Sequence, residues 1–175
     1  QTSFSTSGDS DIQQQEWLLD LELNKGLGEG ELTAIARIRL DTVDDLNPTG
    51  SVPADSYSTL GGPLLSGNNG EFGLREFYWQ YGDDTADWKI GKQQVVWGEA
   101  DGLKLLDVIN PQNFREFILD DFDDSRIPLW MINAEIPVMD TGILQLLWVP
   151  DSSTHELAPG TSAYAFTSPA LVPTV

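Results

Sequence analysis

Apolar and polar residues alternate along the first patterned segment of the chain, Glu16-Trp17-Leu18-Leu19-Asp20-Leu21-Glu22-Leu23. Its odd positions are all apolar and its even positions are mostly acidic, which is typical of a strand with one apolar and one polar face. The glycine-rich segment 24–30 can supply the positive φ angles of a turn. The alternation resumes over 32–40, so the pattern predicts an antiparallel hairpin over about 15–40.

The same alternation predicts two more hairpins, at about 73–97 and 129–149. In the hairpin at about 73–97, the second strand, at about 88–97, is the least regular, because Lys92 and Gln94 interrupt its apolar face. Long connections at about 41–72, 98–128 and 150–175 are rich in Asp, Asn, Pro, Ser and Gly and lack this periodicity.

Short turns inside the hairpins therefore alternate with long connections between them, as in an up-and-down transmembrane barrel. Tryptophan and tyrosine near several strand ends match the aromatic girdles of such barrels. We expect an all-β fold, a single antiparallel β-barrel segment over 1–175 with about six strands in three hairpins. A single chain needs at least eight strands to close such a barrel. The segment is therefore expected to be the N-terminal part of a larger barrel, completed by further strands of the same or of other chains.

Composition narrows the classes of function. The chain carries 28 acidic and 9 basic residues, a formal net charge of -19, so no basic patch is expected to bind nucleic acid. It has no cysteine and one histidine, which excludes thiolate and multi-histidine metal sites. No G-x-S-x-G element marks a hydrolase, and we expect no enzyme activity. The two classes of protein that remain are a soluble acidic β-domain and an outer-membrane barrel.

Two motifs carry a resemblance to a known family. The first is Gly91-Lys92-Gln93-Gln94-Val95-Val96-Trp97-Gly98, and the second is Asp107-Val108-Ile109-Asn110-Pro111-Gln112-Asn113. They resemble the strand end G-[RK]-Q-x-V-x-W-G and the loop D-x-x-N-P-x-D of an uncharacterised family of proteobacterial outer-membrane β-barrel proteins, with Asn113 in place of the last aspartate. The resemblance covers a little under half of the chain, 74–150. It implies a porin-like protein of the bacterial outer membrane, in a family whose members are longer and are suspected of moving hydrophobic or organic compounds.

Charged residues on the predicted strands are candidates for the lining of a lumen. If they face inward, they set the selectivity of a channel, and the alternative is that they pair across strands and stabilise the wall. The candidates are Asp20, Glu22, Arg37, Arg39, Arg75, Glu76, Lys89 and Lys92.

The connection 98–128 is more apolar than an exposed loop, so we expect it to fold inward and constrict the lumen. Part of it is predicted to be helical from Asn110, because Asn followed by Pro is a common N-cap and first-turn pair. The residues proposed for the constriction are Asp107, Asn110, Phe114, Arg115 and Arg126. A helix that caps a soluble sandwich is the alternative.

An acidic run in the same connection is a candidate metal site. Asp120, Asp121, Asp123 and Asp124 offer oxygen ligands that suit Ca²⁺, although the run lacks the glycine and the distal glutamate of an EF-hand. The alternative is a solvated acidic loop, or one paired with Arg115 and Arg126. No other cofactor is expected.

The expected function is passive or loop-gated passage of small, in part hydrophobic, molecules across the outer membrane. The partners would be outer-membrane lipid, lipopolysaccharide and the solute. Two alternatives stay open: a soluble secreted β-sandwich that binds a ligand, and a structural or assembly barrel without conductance.

Overall fold

A computed structural model describes residues 2–4, 12–42, 57–67, 69–97, 108–114, 124–139 and 141–157. These residues are all-β. The ten strands are Thr2–Phe4 (β1), Ile12–Leu27 (β2), Gly30–Asp41 (β3), Leu65–Ser66 (β4), Gly70–Gly82 (β5), Asp87–Gln93 (β6), Asn113–Phe114 (β7), Leu129–Val138 (β8), Gly142–Trp148 (β9) and Glu156–Leu157 (β10). Among the described residues, none belongs to a helix long and apolar enough to cross a membrane.

The large sheet is antiparallel throughout, in the order β1-β2-β3-β5-β6-β8-β9, with β4 paired to β5. Strands β2–β3, β5–β6 and β8–β9 form the three predicted hairpins, so the all-β, up-and-down arrangement is confirmed. The strand ends that are joined by short turns lie at one end of the sheet, and the strand ends that lead into the long connections lie at the other. The small strands β7 and β10 pair in parallel in a second sheet.

The first turn is tighter than the sequence suggested. Strand β2 continues to Leu27, and the turn consists of Gly28 and Glu29 alone. Gly28 has a φ of 67°, which a residue with a side chain rarely adopts. At Gly30 a Cβ atom would lie 2.6 Å from the Trp79 indole, so this glycine lets the aromatic ring pack against the start of β3.

The second hairpin differs from the prediction at one end. Strand β6 ends at Gln93, whereas the pattern placed its end at about 97. The N–H of Val95 donates to the side chain of Asn110 at 2.9 Å instead of to a neighbouring strand. A tertiary contact therefore ends the ladder before the apolar pattern stops.

The helix expected from Asn110 is wrong for the described residues. Asn113 and Phe114 form β7, and the described stretch 108–114 has no helical turn. The Asn110 side chain bonds Val95 N–H and the Ile127 carbonyl, which lie far away in the chain, rather than the amides of its own next turn.

The register sorts the strand residues into two faces. Apolar side chains of neighbouring strands lie beside one another on what we call the apolar face. It includes Trp17, Leu19, Leu21, Leu23, Ile38, Leu40, Phe77, Trp79, Trp88, Ile90, Leu144, Leu146 and Trp148. The opposite side, the polar face, includes Glu16, Asp20, Glu22, Arg37, Arg39, Glu76, Lys89, Asn133 and Gln145.

Large apolar side chains are exposed on one face of the sheet, while the small hydrophobic core lies on the other face. Side chains of the apolar face are open, with Trp17, Leu21 and Leu146 exposed by 62%, 55% and 51%. The small hydrophobic core lies on the polar face, where Leu129 and Met131 pack against Val95, with Ile109 and Leu147 around them. Val95 and Ile109 belong to the connection between β6 and β8, so this connection covers part of the polar face.

Candidate functional site

Ion pairs cross the strands β2 and β3 on the polar face. The guanidinium group of Arg37 forms two hydrogen bonds with Asp20, at 2.8 and 2.6 Å. Arg39 forms an ion pair with Glu16, which is nearly buried. Asp20 and Arg37 are directly opposite in the register, which is the cross-strand pairing that the sequence left open as an alternative.

The long connection between β6 and β8 contacts this charged surface through Asp124. Its Oδ1 accepts a hydrogen bond from Arg37 Nη2 at 2.7 Å and lies 3.7 Å from Arg75 Nη2. Burial opposes the ionisation of Asp124, but the hydrogen bond and charge of Arg37, helped by Arg75, outweigh burial and lower the pKa of the carboxyl group. Arg37 therefore joins the sheet to the connection.

Three further candidates for the lining of a lumen lie elsewhere on the polar face. Glu76 accepts a hydrogen bond from Gln94 at 2.8 Å. Glu22 accepts one from Asn24 at 2.7 Å. The ammonium group of Lys89 lies 3.7 Å from the centre of the Tyr78 ring. The structure thus separates these three residues from the Arg37–Asp124 contact.

Arg75 occupies a bulge in β5. Ile35 lies opposite Glu76 and Ala36 lies opposite Leu74, so Arg75 is the extra residue between them. Its Nη1 lies 3.4 Å from the carbonyl oxygen of Arg126, which places the side chain under the long connection.

Three of the residues proposed for the constriction hold the connection between β6 and β8 in place. Asn110, exposed by 2%, binds Val95 N–H and Ile127 O at 2.9 Å each. The Phe114 ring stacks on His155, whose Nδ1 accepts the Gln112 N–H at 2.9 Å. The backbone of Arg126 bridges to Gln112. Asp107 and Arg115 lie outside the described residues.

Most of the acidic run lies outside the described residues, namely Asp120, Asp121 and Asp123. Asp124, its last member, is held by Arg37, whereas the sequence analysis gives Arg115 and Arg126 as the alternative partners of the run. Within the described ranges, no group of three or more metal-ligating side chains is arranged to hold an ion. The calcium site stays a prediction.

A cavity of about 110 Å³ lies where the sheet, the bulge and the long connections meet. Five basic side chains contribute to its lining, and two acidic side chains, Glu71 and Asp124, do so as well. The basic residues are Arg37, Arg39, Arg75, Lys92 and Arg126. Lys92 donates to the carbonyl oxygens of Gly61 and Leu74, both at 2.8 Å.

Sequence reasoning missed a second anchor, centred on Asp151. Its Oδ1 accepts hydrogen bonds from the hydroxyl groups of Ser58 at 2.5 Å and Ser153 at 2.7 Å. Its Oδ2 accepts the N–H of Trp130 at 3.2 Å. Burial opposes ionisation, but these hydrogen bonds together lower the pKa of Asp151. The cluster ties the connections before β5 and after β9 to the start of β8.

The fold and site together define a β-sheet protein with part of its polar face covered by the described residues of its own long connections. The family DUF1302, described as proteins of unknown function, matches residues 40–171, and the chain belongs to this family. The chain matches no curated protein and no solved structure at a significant level.

Proposed function

We propose that the chain forms part of the wall of a porin-like channel in the bacterial outer membrane. The channel would let small molecules, some of them hydrophobic, pass passively or under control of a loop. The observation that supports this most is the open apolar face opposite a polar face that is covered in part by protein. Lipid would then contact the apolar face, and the lumen would lie on the polar side.

The dimensions of the apolar face favour lipid as its neighbour. Six strands spaced about 4.8 Å apart, with seven or eight residues at about 3.3 Å each, give a face of roughly 25 Å in each direction. An area of this size exceeds the largest apolar patches of most soluble monomers. The outward apolar band of a transmembrane barrel is also about 25 Å tall.

Aromatic residues lie toward both ends of this face. Trp17 and Trp148 lie near the end with the long connections, because β9 ends at Trp148 and Trp17 pairs with Leu40 near the end of β3. Tyr81 and Trp88 lie opposite each other beside the short turn 83–86. Two aromatic zones of this kind match the girdles at the two membrane–water interfaces.

The long connection supports control of passage by a loop. It packs on the polar face through Val95 and Ile109, and Asp124 binds Arg37 on the wall. In a barrel, a connection in this position narrows the lumen. Further strands of the same or of other chains would pair with the sheet edges at β1 and β9, since open edges in lipid leave backbone groups unpaired.

Fractionation of cells that express the full-length protein tests the proposal. We expect recovery in the outer membrane, and a band on an unboiled gel that shifts after boiling, because closed barrels resist detergent until heated. Recovery as a soluble monomer with no shift would contradict the proposal and favour a secreted β-sandwich, in which the same apolar residues form a dry core. A heat-shifted protein without conductance would favour a structural or assembly barrel.

A further inference from the structure

The first four residues after β6 run across the strands on the polar face. The side chain of Gln94 donates to Glu76 on β5 at 2.8 Å, and Val95 packs in the small hydrophobic core over β8. The indole N–H of Trp97 then donates to the side-chain oxygen of Gln145 on β9 at 2.6 Å. In the proposed channel, the Trp97 ring therefore lies on the lumen side of the wall.

The Trp97 ring is held in place but is not enclosed. Its exposed fraction is 41%. The hydrogen bond to Gln145 uses the one polar atom of the side chain, so it fixes an edge of the ring and leaves the faces to other contacts. Within the described part of the chain, no other aromatic ring stacks on Trp97. A large apolar surface is thus presented to a solute that moves along the polar face.

A row of hydrogen-bonding side chains lies beside Trp97. The amide group of Gln145 donates to the side-chain oxygens of Asn133 at 3.1 Å and of Glu135 at 3.3 Å. Lys89 lies opposite Asn133 in the register, on the next strand. Three adjacent strands, β6, β8 and β9, therefore offer both donors and acceptors of hydrogen bonds at this place.

A second, open cavity of about 510 Å³ adjoins this row. Asn133 and Glu135 line it together with Gln80 and Lys89, whose side chains also belong to the polar face. A volume of this size is within the range of small-molecule sites, about 300–1,000 Å³. The row therefore has the Trp97 ring on its β9 side and open space on its β5 side.

The charges of this second cavity limit the class of solute. Four carboxylate groups line it beside the ammonium group of Lys89, and they belong to Glu29, Glu31, Asp87 and Glu135. An anion would be repelled. A hydroxyl group carries no charge and donates well to a carboxylate, because charged acceptors form strong hydrogen bonds. A solute that also stacks on Trp97 needs an apolar ring face, which sugars present through their C–H groups.

We propose that Trp97 and the row formed by Asn133, Glu135 and Gln145 bind a neutral ring compound that carries hydroxyl groups, a sugar, in the lumen. The inference rests on the proposed function, because it assigns a solute class to the same lumen. One face of the sugar ring stacks on the indole, and the hydroxyl groups at its edge form hydrogen bonds with the row. An open-chain polyol has the same hydroxyl groups but lacks the ring face.

Block of the ion current in planar lipid bilayers tests the inference. In the full-length protein, glucose should reduce the potassium chloride current in a concentration-dependent way. Sorbitol, the open-chain polyol, controls for viscosity and should need about tenfold higher concentrations, because it loses the stacking contact. Equal effects of the two compounds, or no effect of glucose, would overturn the inference and leave the channel function standing. Block by choline at lower concentrations than by glucose would also overturn it, because it would show a site for organic cations.

Substitutions locate the effect. Trp97→Ala should weaken the block by glucose by about tenfold. Glu135→Gln replaces a charged acceptor by a neutral one and should weaken the block by about threefold, which keeps the test valid if Trp97→Ala fails to assemble. Trp148→Ala is the matched control, since Trp148 lies on the same strand as Gln145 but opposite Ile132 on the apolar face, and it should leave the block unchanged. Equal changes in Trp97→Ala and Trp148→Ala would contradict a site at Trp97.

Direct binding separates failure of the inference from failure of the proposed function. If the folded protein does not conduct, the channel proposal fails, and the site is tested alone. Saturation-transfer NMR of the detergent-solubilised full-length protein then detects bound glucose. Transfer to glucose that Trp97→Ala abolishes, and that sorbitol does not show, supports the site. Absence of transfer to glucose in the unchanged protein overturns it.

Discussion

At the residue scale, the strand-end motif is explained by its contacts. Gly91 has a φ of 136°, and a Cβ atom there would lie 2.2 Å from the carbonyl oxygen of Phe77 on β5. Gln93 is fully buried, and its amide group donates to the carbonyl groups of Lys89 and Met131. Gly91 therefore allows β6 to lie close to β5, and Gln93 joins β6 to β8.

Substitution of Gly91 by alanine tests this explanation. The added Cβ meets backbone rather than a flexible side chain, so we expect Gly91→Ala to destabilise the folded protein by about 2–4 kcal/mol. Gly26→Ala is the matched control, because no atom lies within 4 Å of the position of its Cβ. Urea unfolding followed by tryptophan fluorescence measures both. Equal stability of the two variants would mean that Gly91 is not conformationally required.

Sequence reasoning could find charged and motif residues but not their partners. The pairing of Asp20 with Arg37 follows from adjacent strands and was foreseeable. The Asp151 cluster joins residues more than 90 positions apart in segments without periodicity, so no pattern announces it. The cavity depends on the Arg75 bulge and on where three connections meet, and neither feature has a signal in a single sequence.

At the element scale, the hairpins were predictable because one face of the sheet is apolar along its whole length. A period of two persists wherever neighbouring residues meet different surroundings. The end of β6 and the conformation after Asn110 were predicted wrongly for a common reason. The N–H of Val95, at the start of the connection between β6 and β8, donates to the side chain of Asn110 in the middle of the same connection. This contact overrides the local preferences that predicted a longer strand and a helix.

The connection between β6 and β8 is held closed in part by Asp124, which gives a pH dependence. Its pKa is lower in the folded protein than in the unfolded chain, so the ion pair stabilises the closed connection fully above about pH 4. The contribution is lost as the pH falls through the folded-state pKa. Amide protection of Asn113 and Ile127, which bond Ser125 O and Pro111 O, should decrease in that acidic range.

The variant Asp124→Asn should release the connection at neutral pH. Asp124 is partly exposed, so the ion pair contributes only about 1 kcal/mol or less. Exchange of the same two amides should become up to about fivefold faster. Asp83→Asn, in the turn 83–86 at the other end of the sheet, is the control and should leave them protected. Unchanged exchange in Asp124→Asn would show that Asp124 does not hold the connection.

At the scale of the whole molecule, the distribution of apolar residues decides between lipid and water. Leu21 lies in the middle of the apolar face, and Ile35 lies one position away on the neighbouring strand but on the polar face, between Glu22 and Glu76. The two positions have similar side chains and opposite surroundings, which makes them a matched pair.

Arginine at these two positions should have different effects. In lipid, Leu21→Arg costs about 2–4 kcal/mol at the middle of the membrane and should reduce assembly in the outer membrane. Ile35→Arg places the charge between two glutamates and should assemble normally. The yield of the heat-shifted band measures both variants. Equal yields would contradict contact between Leu21 and lipid.

The most direct test of lipid contact uses single cysteines, introduced and spin-labelled one at a time along residues 17–25, because these 175 residues contain no cysteine of their own. Any cysteine elsewhere in the full-length protein is first replaced by serine. In reconstituted full-length protein, collision with oxygen reports lipid, and collision with a water-soluble nickel complex reports the aqueous side. We predict a period of two, with oxygen accessibility highest at the odd positions from Trp17 to Leu23 and nickel accessibility highest at the even positions. Odd positions that neither reagent reaches would show that the apolar face packs in a protein core, and would contradict the membrane-wall account.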